Sequence, residues 1–382
     1  MKLMSLISLR IYQCWLCARV LFARFCAVFT PKVDLWLISE RGKEARDNGY
    51  AFYRWMKDNH PEVTVKYVIT RDSKDFHKIE SEDVVEYNTF SHLLYIWKAK
   101  FLISTHIMGY MPDHSTYARL ELRLRLLKSR KKVFLQHGII KDGLDSLYYG
   151  NVDLNLFICG SQIEYNYVDS TFGYPSGIVK YTGLCRYDNL LQYSASKQIL
   201  IMPTFRIFID KQHFEDTQYY NEYKGLLCSK QFHDLLEKYD YRAVFYPHYE
   251  FQCKIESFKC LPISDRITIA DMNYDVQQLL KESSVLLTDY SSVFFDMMYM
   301  NKPILFYQFD IERYRTEHYK SGYLNYEDVG PVVDNLSGLL RNIENLLQNN
   351  EDISQYQSYY AKTFTKRDTR NCERVYDAIR YC

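Results

Sequence analysis

Short apolar runs of strand length recur along the chain, separated by longer stretches whose apolar residues sit three and four apart. Strands that pair in parallel need a crossover long enough to hold a helix, so this alternation predicts βα units around parallel sheets. One series of runs is Leu35 to Ser39, Val65 to Ile69, Phe101 to Ser104, Val133 to Leu135 and Leu154 to Ile158. A second is Ile199 to Met202, Ala243 to Tyr246, Ile267 to Ile269, Val285 to Leu287 and Pro303 to Tyr307. Helical patterns fall at Gly49 to Lys57, Tyr117 to Leu127, Phe232 to Lys238 and Val276 to Lys281. The class expected is doubly wound α/β with two sheets of about five or six strands. A length of 382 residues suits two such lobes. They are expected over 31–190 and 191–350, joined near Arg186 to Lys197, with a terminal helix over 351–382 packing back on the first lobe.

The N-terminal 30 residues stand apart. Lys2, Arg10, Arg19, Arg24 and Lys32 all precede the first acidic residue, Asp34, although the whole chain carries a net charge of only +1. Arginines interrupt the apolar bulk between Leu3 and Phe29, so no run reaches the ~18 residues of a membrane span, and a secretory leader is not indicated. A helix lying in an anionic lipid surface accounts for both the apolar bulk and the one-sided charge; a helix packed on the protein is the alternative. With 47% hydrophobic and 25% charged residues, the composition excludes a disordered or fibrous chain. Of ten cysteines only Cys14 and Cys17 are spaced C-x-x-C, with no second pair or nearby histidine, so no zinc site is expected. Dispersed, unpaired cysteines suit a reducing compartment, and the cytoplasmic face of the membrane is the expected place.

Ligands of open α/β sheets bind beyond the carboxyl ends of strands, which makes the residues after each apolar run the ones to read for chemistry. These include Ser39-Glu40-Arg41-Gly42, Thr105-His106, Gln136-His137-Gly138 and Gly160-Ser161 in the first series. In the second they are Pro203-Thr204, Pro247-His248, Asp271 and Thr288-Asp289-Tyr290-Ser291-Ser292. The last segment runs into a helical pattern, with Ser291 or Ser292 as the expected N-cap, and a helix N-terminus suits a phosphate. A histidine at a strand end before a glycine, as at His137, can project its ring and titrate near neutrality, which fits a general base; a purely structural histidine is the other reading. His248 occupies a similar place in the second series. There is no Asp-x-Asp, no G-x-G-x-x-G and no Walker A sequence, which argues against a dinucleotide-dependent dehydrogenase and a P-loop ATPase.

Taken together and in order, these segments resemble the CDP-glycerol glycerophosphotransferase family of teichoic acid and capsule polymer synthesis. The resemblance runs from Leu35 to Leu347 and rests on seven motifs. They are Glu40 with Asp47-Asn48-Gly49-Tyr50, Gln136-His137-Gly138, Pro203-Thr204-Phe205-Arg206, Pro247-His248, Thr288 to Asp296, Lys302-Pro303, and Ser321-Gly322-Tyr323 with Gly330-Pro331-Val332. It implies a GT-B-like pair of Rossmann-type lobes with an interlobe cleft, and a CDP-activated polyol phosphate donor such as CDP-glycerol. It also implies release of CMP and a lipid-linked saccharide or polymer acceptor at the inner leaflet.

By the same resemblance His137 is the general base and His248 the histidine on the donor phosphates. Arg206, Thr288, Asp289, Ser291 and Ser292 are expected at the donor phosphates or nucleotide. Glu40, Asp47, Gln136 and Gly138 are expected on the acceptor side or in the framework. No metal or other cofactor is required, and no nucleic-acid partner is expected. Gln136 and Phe205 each replace a tryptophan of the family pattern, leaving the polyol and acceptor open. The absence of the large N-terminal extension of some polymerising members suits a compact transferase, with addition of a first unit and polymerisation both left open by length. A nucleotide-sugar glycosyltransferase, a ribitol phosphate transferase and a nucleotide-binding scaffold without catalysis are the competing readings.

Overall fold

Strands covered on both faces are mostly apolar, and β1 (Leu35–Ser39) meets that demand with four apolar residues ahead of its closing serine. Trp36 and Ile38 enter one core, while Leu35 and Leu37 enter a second on the opposite face. A computed structural model describes residues 2–31, 33–113, 117, 121, 124–211 and 213–382 of the chain. Lys32 and residues 118–120, 122 and 123 of the helix expected over Tyr117 to Leu127 lie outside the described residues.

The chain divides into two units. The first runs to His137, resumes over 145–188 and ends with 368–382. After β1 it contains β2 (Thr64–Ile69), β3 (Val84–Glu86), β4 (Phe101–Ser104) and β5 (Lys131–Phe134). Residues 138–144 belong to the second unit and contribute β6 (Asp142–Gly143) there, before the chain returns for β7 (Leu156–Cys159) and β8 (Val179–Tyr181). The first sheet has the order β3-β2-β1-β4-β5-β7-β8, every pair parallel.

The second unit covers 138–144 and 189–367. It holds β9 (Ser196–Ile201), β10 (Arg242–Phe245), β11 (Ile267–Ile269), β12 (Ser283–Thr288), β13 (Ile304–Tyr307), β14 (Lys320–Ser321) and β15 (Val332–Val333). Its main sheet is parallel in the order β11-β10-β9-β12-β13-β15, and β14 pairs antiparallel with β6. Both sheets follow the Rossmann order, which reverses its winding between β1 and β4 and between β9 and β12. The carboxyl ends of those four strands carry Glu40, Thr105-His106, Pro203-Thr204 and Asp289.

The ten strands expected from apolar runs are present, with ends displaced by up to three residues. The sequence reading missed β3, β8 and β15, edge strands of the main sheets, and the β6 and β14 pair, all of two or three residues and too short to leave a periodic pattern. The partition also departs from contiguous lobes. Residues 138–144 go to the second unit, residues 2–30 belong to the first, and the expected tail splits at Asp368. The helix Asn371–Arg380 buries Cys372, Val375, Tyr376 and Ile379 in the core that holds Trp36, and Tyr376 stacks on that indole at 5.5 Å.

On the opposite face lie α1 (Lys2–Ala27), and, after α2 (Asn48–Asn59) on the Trp36 side, α3 (Phe90–Lys98). Leu16, Val20 and Ala23 of α1 join Leu93, Ile96 and Trp97 of α3 in one core, and Trp97 Nε1 donates to Val20 O at 2.9 Å. Ile11, Trp15, Phe22, Phe25 and Phe29, spaced three, four or seven apart, are exposed. No helix among the described residues is long and apolar enough to cross a membrane.

One buried group gives this unit a pH dependence. His92 in α3 accepts from Asn88 N through Nδ1 at 3.1 Å and donates from Nε2 to Tyr110 O at 2.7 Å, the arrangement of a neutral ring. Burial lowers its pKa from 6.5 to about 4 against the pull of the Tyr110 carbonyl. The unfolded chain therefore takes up this proton first. The stabilisation is fully present above pH 6.5 and is lost as pH falls towards 4, up to about 3 kcal/mol in all. Thermal melts between pH 4 and 7 should show this decline, and His92→Gln should be less stable at pH 7 with a flatter slope below it. An unchanged slope would assign the decline to other groups.

Candidate active site

In the first unit the site is built at the end of β5. Gln136 adopts φ +63°, a strained value for a side chain of its size, and is held there on three sides. Its carbonyl accepts from Asn48 Nδ2 at 2.8 Å, and its amide donates to Ile158 O at 2.5 Å and Glu164 Oε1 at 3.0 Å. This sharp turn projects His137, whose side chain is 70% exposed. Nδ1 of His137 lies 2.6 Å from Asp47 Oδ2. An ionised carboxylate only accepts, so the ring carries its proton on Nδ1 and presents the Nε2 lone pair as a base.

Asp47 is itself fixed from the other side. Arg186 Nη1 donates to Asp47 Oδ1 at 2.9 Å and to His137 O at 2.7 Å, while Arg186 N donates to Asn48 Oδ1 at 3.0 Å. Burial alone would raise the Asp47 pKa, but the Arg186 and His137 charges and the His137 hydrogen bond hold it below the usual carboxylate range. Glu40 has the opposite shift: burial and the Asp47 charge push it up against the backbone N–H groups of Arg46, Tyr50 and Asp47. His106, at the end of β4, stacks on His137 with ring centroids 5.0 Å apart.

The second unit offers a histidine of the other tautomer. His248 Nδ1 accepts from Glu250 N at 3.3 Å, which leaves the neutral ring's proton on Nε2, as a donor. Its ring stacks on Phe205 at 4.8 Å, and Phe205 also meets His318 edge-on at 4.9 Å. His318 Nδ1 likewise accepts from Ile207 N at 3.1 Å. Burial first, then the Arg206 and Lys141 charges, lower its pKa to about 4, so it stays neutral at physiological pH. At the end of β12, Ser291 and Ser292 are half-buried. Gly138 lies against Ser292, where a side chain would come within 2.8 Å of the hydroxyl.

A family model, CDP-Glycerol:Poly(glycerophosphate) glycerophosphotransferase, matches residues 20–381. The chain belongs to this family. It is similar to the minor teichoic acid biosynthesis protein GgaB of Bacillus subtilis, with 29% identity over 370 residues, 92% of this chain and 40% of GgaB. It is also similar to the teichoic acid poly(glycerol phosphate) polymerase of Bacillus subtilis, with 24% identity over 89% of this chain and 48% of the polymerase. It thus spans less than half the length of these relatives. A solved structure of a variant of the wall teichoic acid polymerase TagF soaked with CDPG shares the fold, with TM-score 0.68, 19% identity, and 97% and 98% of the two chains covered.

Within the family's motifs the structure separates exposed groups from framework. Arg206, expected on donor phosphate, is a correction: its side chain is fully buried between Asp289 at 2.9 Å and Asp310 at 2.7 Å. Nη1 donates to Thr204 O, and Tyr290 lies 4.7 Å from the guanidinium, so the arginine's donors are spent inside the protein. Thr288 and Asp289 are framework too. Thr288 Oγ1 ties β12 to β9 through Met202 O at 2.7 Å, and Asp289 Oδ1 accepts from Thr204 N at 2.8 Å. Nor does either serine cap a helix. Phe294 and Phe295 donate to the carbonyls of Ser291 and Ser292 in a tight turn, which moves the helix start to Phe294 with Val293 at its N-cap. Lys302 is buried, donating to the carbonyls of Leu280, Lys281 and Ser283 at 2.7–2.8 Å.

The sequence reading assigned no role to four residues that shape these sites. Arg186 fell in a polar stretch taken as the join, Asn48 sat inside a motif without a role, and His106 was one strand-end residue among many. His318 follows a short helix rather than a strand and gave no signal. Among the described residues no group of three or more His, Cys, Asp and Glu side chains is placed to hold a metal ion.

Proposed function

We propose that the chain transfers glycerol phosphate from CDP-glycerol to a hydroxyl of a teichoic-acid-type acceptor and releases CMP. The observation that carries this reading is the His137–Asp47 pair, a base with its lone pair on Nε2, in a chain of the glycerophosphotransferase family. The acceptor oxygen attacks the glycerol-side phosphorus, the phosphoanhydride bond to CMP breaks, and Nε2 of His137 takes the hydroxyl proton. His248, with its proton on Nε2, donates to a phosphoryl oxygen, and the half-buried hydroxyls of Ser291 and Ser292 are the further donors. Glycerol is favoured over ribitol by the family description and by the CDPG soaked into TagF. Calorimetric titration tests the donor: CDP-glycerol should bind more tightly than CDP-ribitol or a UDP-sugar, and preference for the UDP-sugar would reject the reading.

The enzyme works at the cytoplasmic face of the membrane, held there by α1. Its exposed stripe of Ile11, Trp15, Phe22 and Phe25, continued beyond the helix end by Phe29, belongs to a helix with no acidic residue, which suits an anionic lipid surface and a lipid-linked acceptor. Replacing Trp15, Phe22 and Phe25 together with serine should release the protein from anionic vesicles in a flotation assay, with the melting temperature kept within a few degrees because these side chains are exposed. Undiminished vesicle binding would remove α1 from this role.

A further inference from the structure

Aspartate is a preferred helix N-cap because its carboxylate accepts the orphan N–H groups of the first turn. Asp47 occupies the N-cap of α2, a twelve-residue helix, yet makes no side-chain capping bond. The N–H that it would satisfy, that of Tyr50, donates instead to Glu40 Oε1 at 2.7 Å. Glu40 also accepts from Arg46 N at 2.9 Å and Asp47 N at 3.1 Å. Glu40 is only 1% exposed and reaches the helix from the end of β1. Gly49 leaves room for it, since a Cβ there would stand 2.9 Å from Glu40 Cγ and 3.0 Å from its Oε1. Two carboxyl groups thus share one helix start, and the one at the capping position is the one that does not cap.

We propose that Glu40 is a positioning residue for the transfer reaction: by capping α2 in place of Asp47, it keeps the Asp47 carboxylate on His137. Without Glu40, the N–H of Tyr50 is left unpaired beside an aspartate already in capping position. Asp47 then divides between the helix and His137. The imidazole loses the acceptor that fixes its proton on Nδ1 and turns to the Nε2–H tautomer that unconstrained histidines favour, which has no lone pair on the reacting nitrogen. The kinetic consequence rests on the phosphotransfer reading, whereas the tautomer does not.

The test uses the full chain with ring-15N histidine, the His137 signals being assigned from their loss in His137→Gln. The wild type should show Nδ1 protonated and Nε2 unprotonated. In Glu40→Ala and in Gly49→Ala, which crowds Glu40 out, the Nε2–H tautomer should become the major form. Glu40→Gln, which keeps the shape and one acceptor, should lie between them. With CDP-glycerol, kcat for CMP release should fall by about tenfold or more in both alanine variants, while the donor KM stays within about twofold. Retention of the Nδ1–H tautomer in Gly49→Ala or Glu40→Gln overturns the proposal, and so does a shifted tautomer with unchanged kcat. Should the wild type release no CMP, the phosphotransfer reading fails and the tautomer result still decides the role of Glu40.

Discussion

Arg206→Met should unfold the second unit rather than weaken donor binding. The substitution removes the guanidinium between the Asp289 and Asp310 carboxylates, whose side chains are 0% and 6% exposed, and leaves two negative charges without their cation. Breaking a buried pair in this way costs about 3–5 kcal/mol, a large part of the stability of a typical domain. The damage extends further, because Arg206 also donates to Thr204 O, and Asp289 holds Thr204 N and Tyr223 OH. Urea unfolding of the full chain should show an earlier transition for this variant. A surface phosphate contact would behave otherwise, leaving the transition in place and raising the donor KM.

His137→Ala should do the reverse, sparing the fold and removing the chemistry. The ring is mostly exposed and contributes little to either core of the first unit. In the proposed reaction it supplies the lone pair that accepts the acceptor's proton, and loss of a general base lowers kcat by about 10²–10⁴. The donor KM should change little, because the residues assigned to the donor lie elsewhere in the chain. A single-turnover assay of CMP release, run beside a thermal melt, separates the outcomes. Activity within a few-fold of wild type would show that His137 is not the base.

The strand ladder was legible because strands buried on both faces are mostly apolar, as Leu35 to Ile38 of β1 are. Edge strands such as β8, with the pattern of a single outward Lys180, carry no such constraint and left no trace. The same limit applies at the site. His137 could be read from its place after β5, but its partner Asp47 lies 90 positions earlier, and no local pattern reports a contact of that range. Motif membership also did not distinguish an arginine that meets solvent from one that braces two carboxylates. Arg206, Thr288, Asp289 and Lys302 all belong to the family's motifs, and the structure buries each in the framework. Ser291 and Ser292 differ: their place at the end of β12 was legible, but the tight turn that moves the helix start was not.

The central claim is that the bond broken is the phosphoanhydride of a CDP-polyol. The most direct test is to incubate the full chain with CDP-glycerol and a lipid-linked disaccharide analogue, then measure the released nucleotide and the acceptor mass together. The account predicts CMP and a glycerol phosphate adduct of the acceptor in equal amounts. Release of CDP, which would mark cleavage of the carbon–oxygen bond, or absence of any nucleotide release would contradict it.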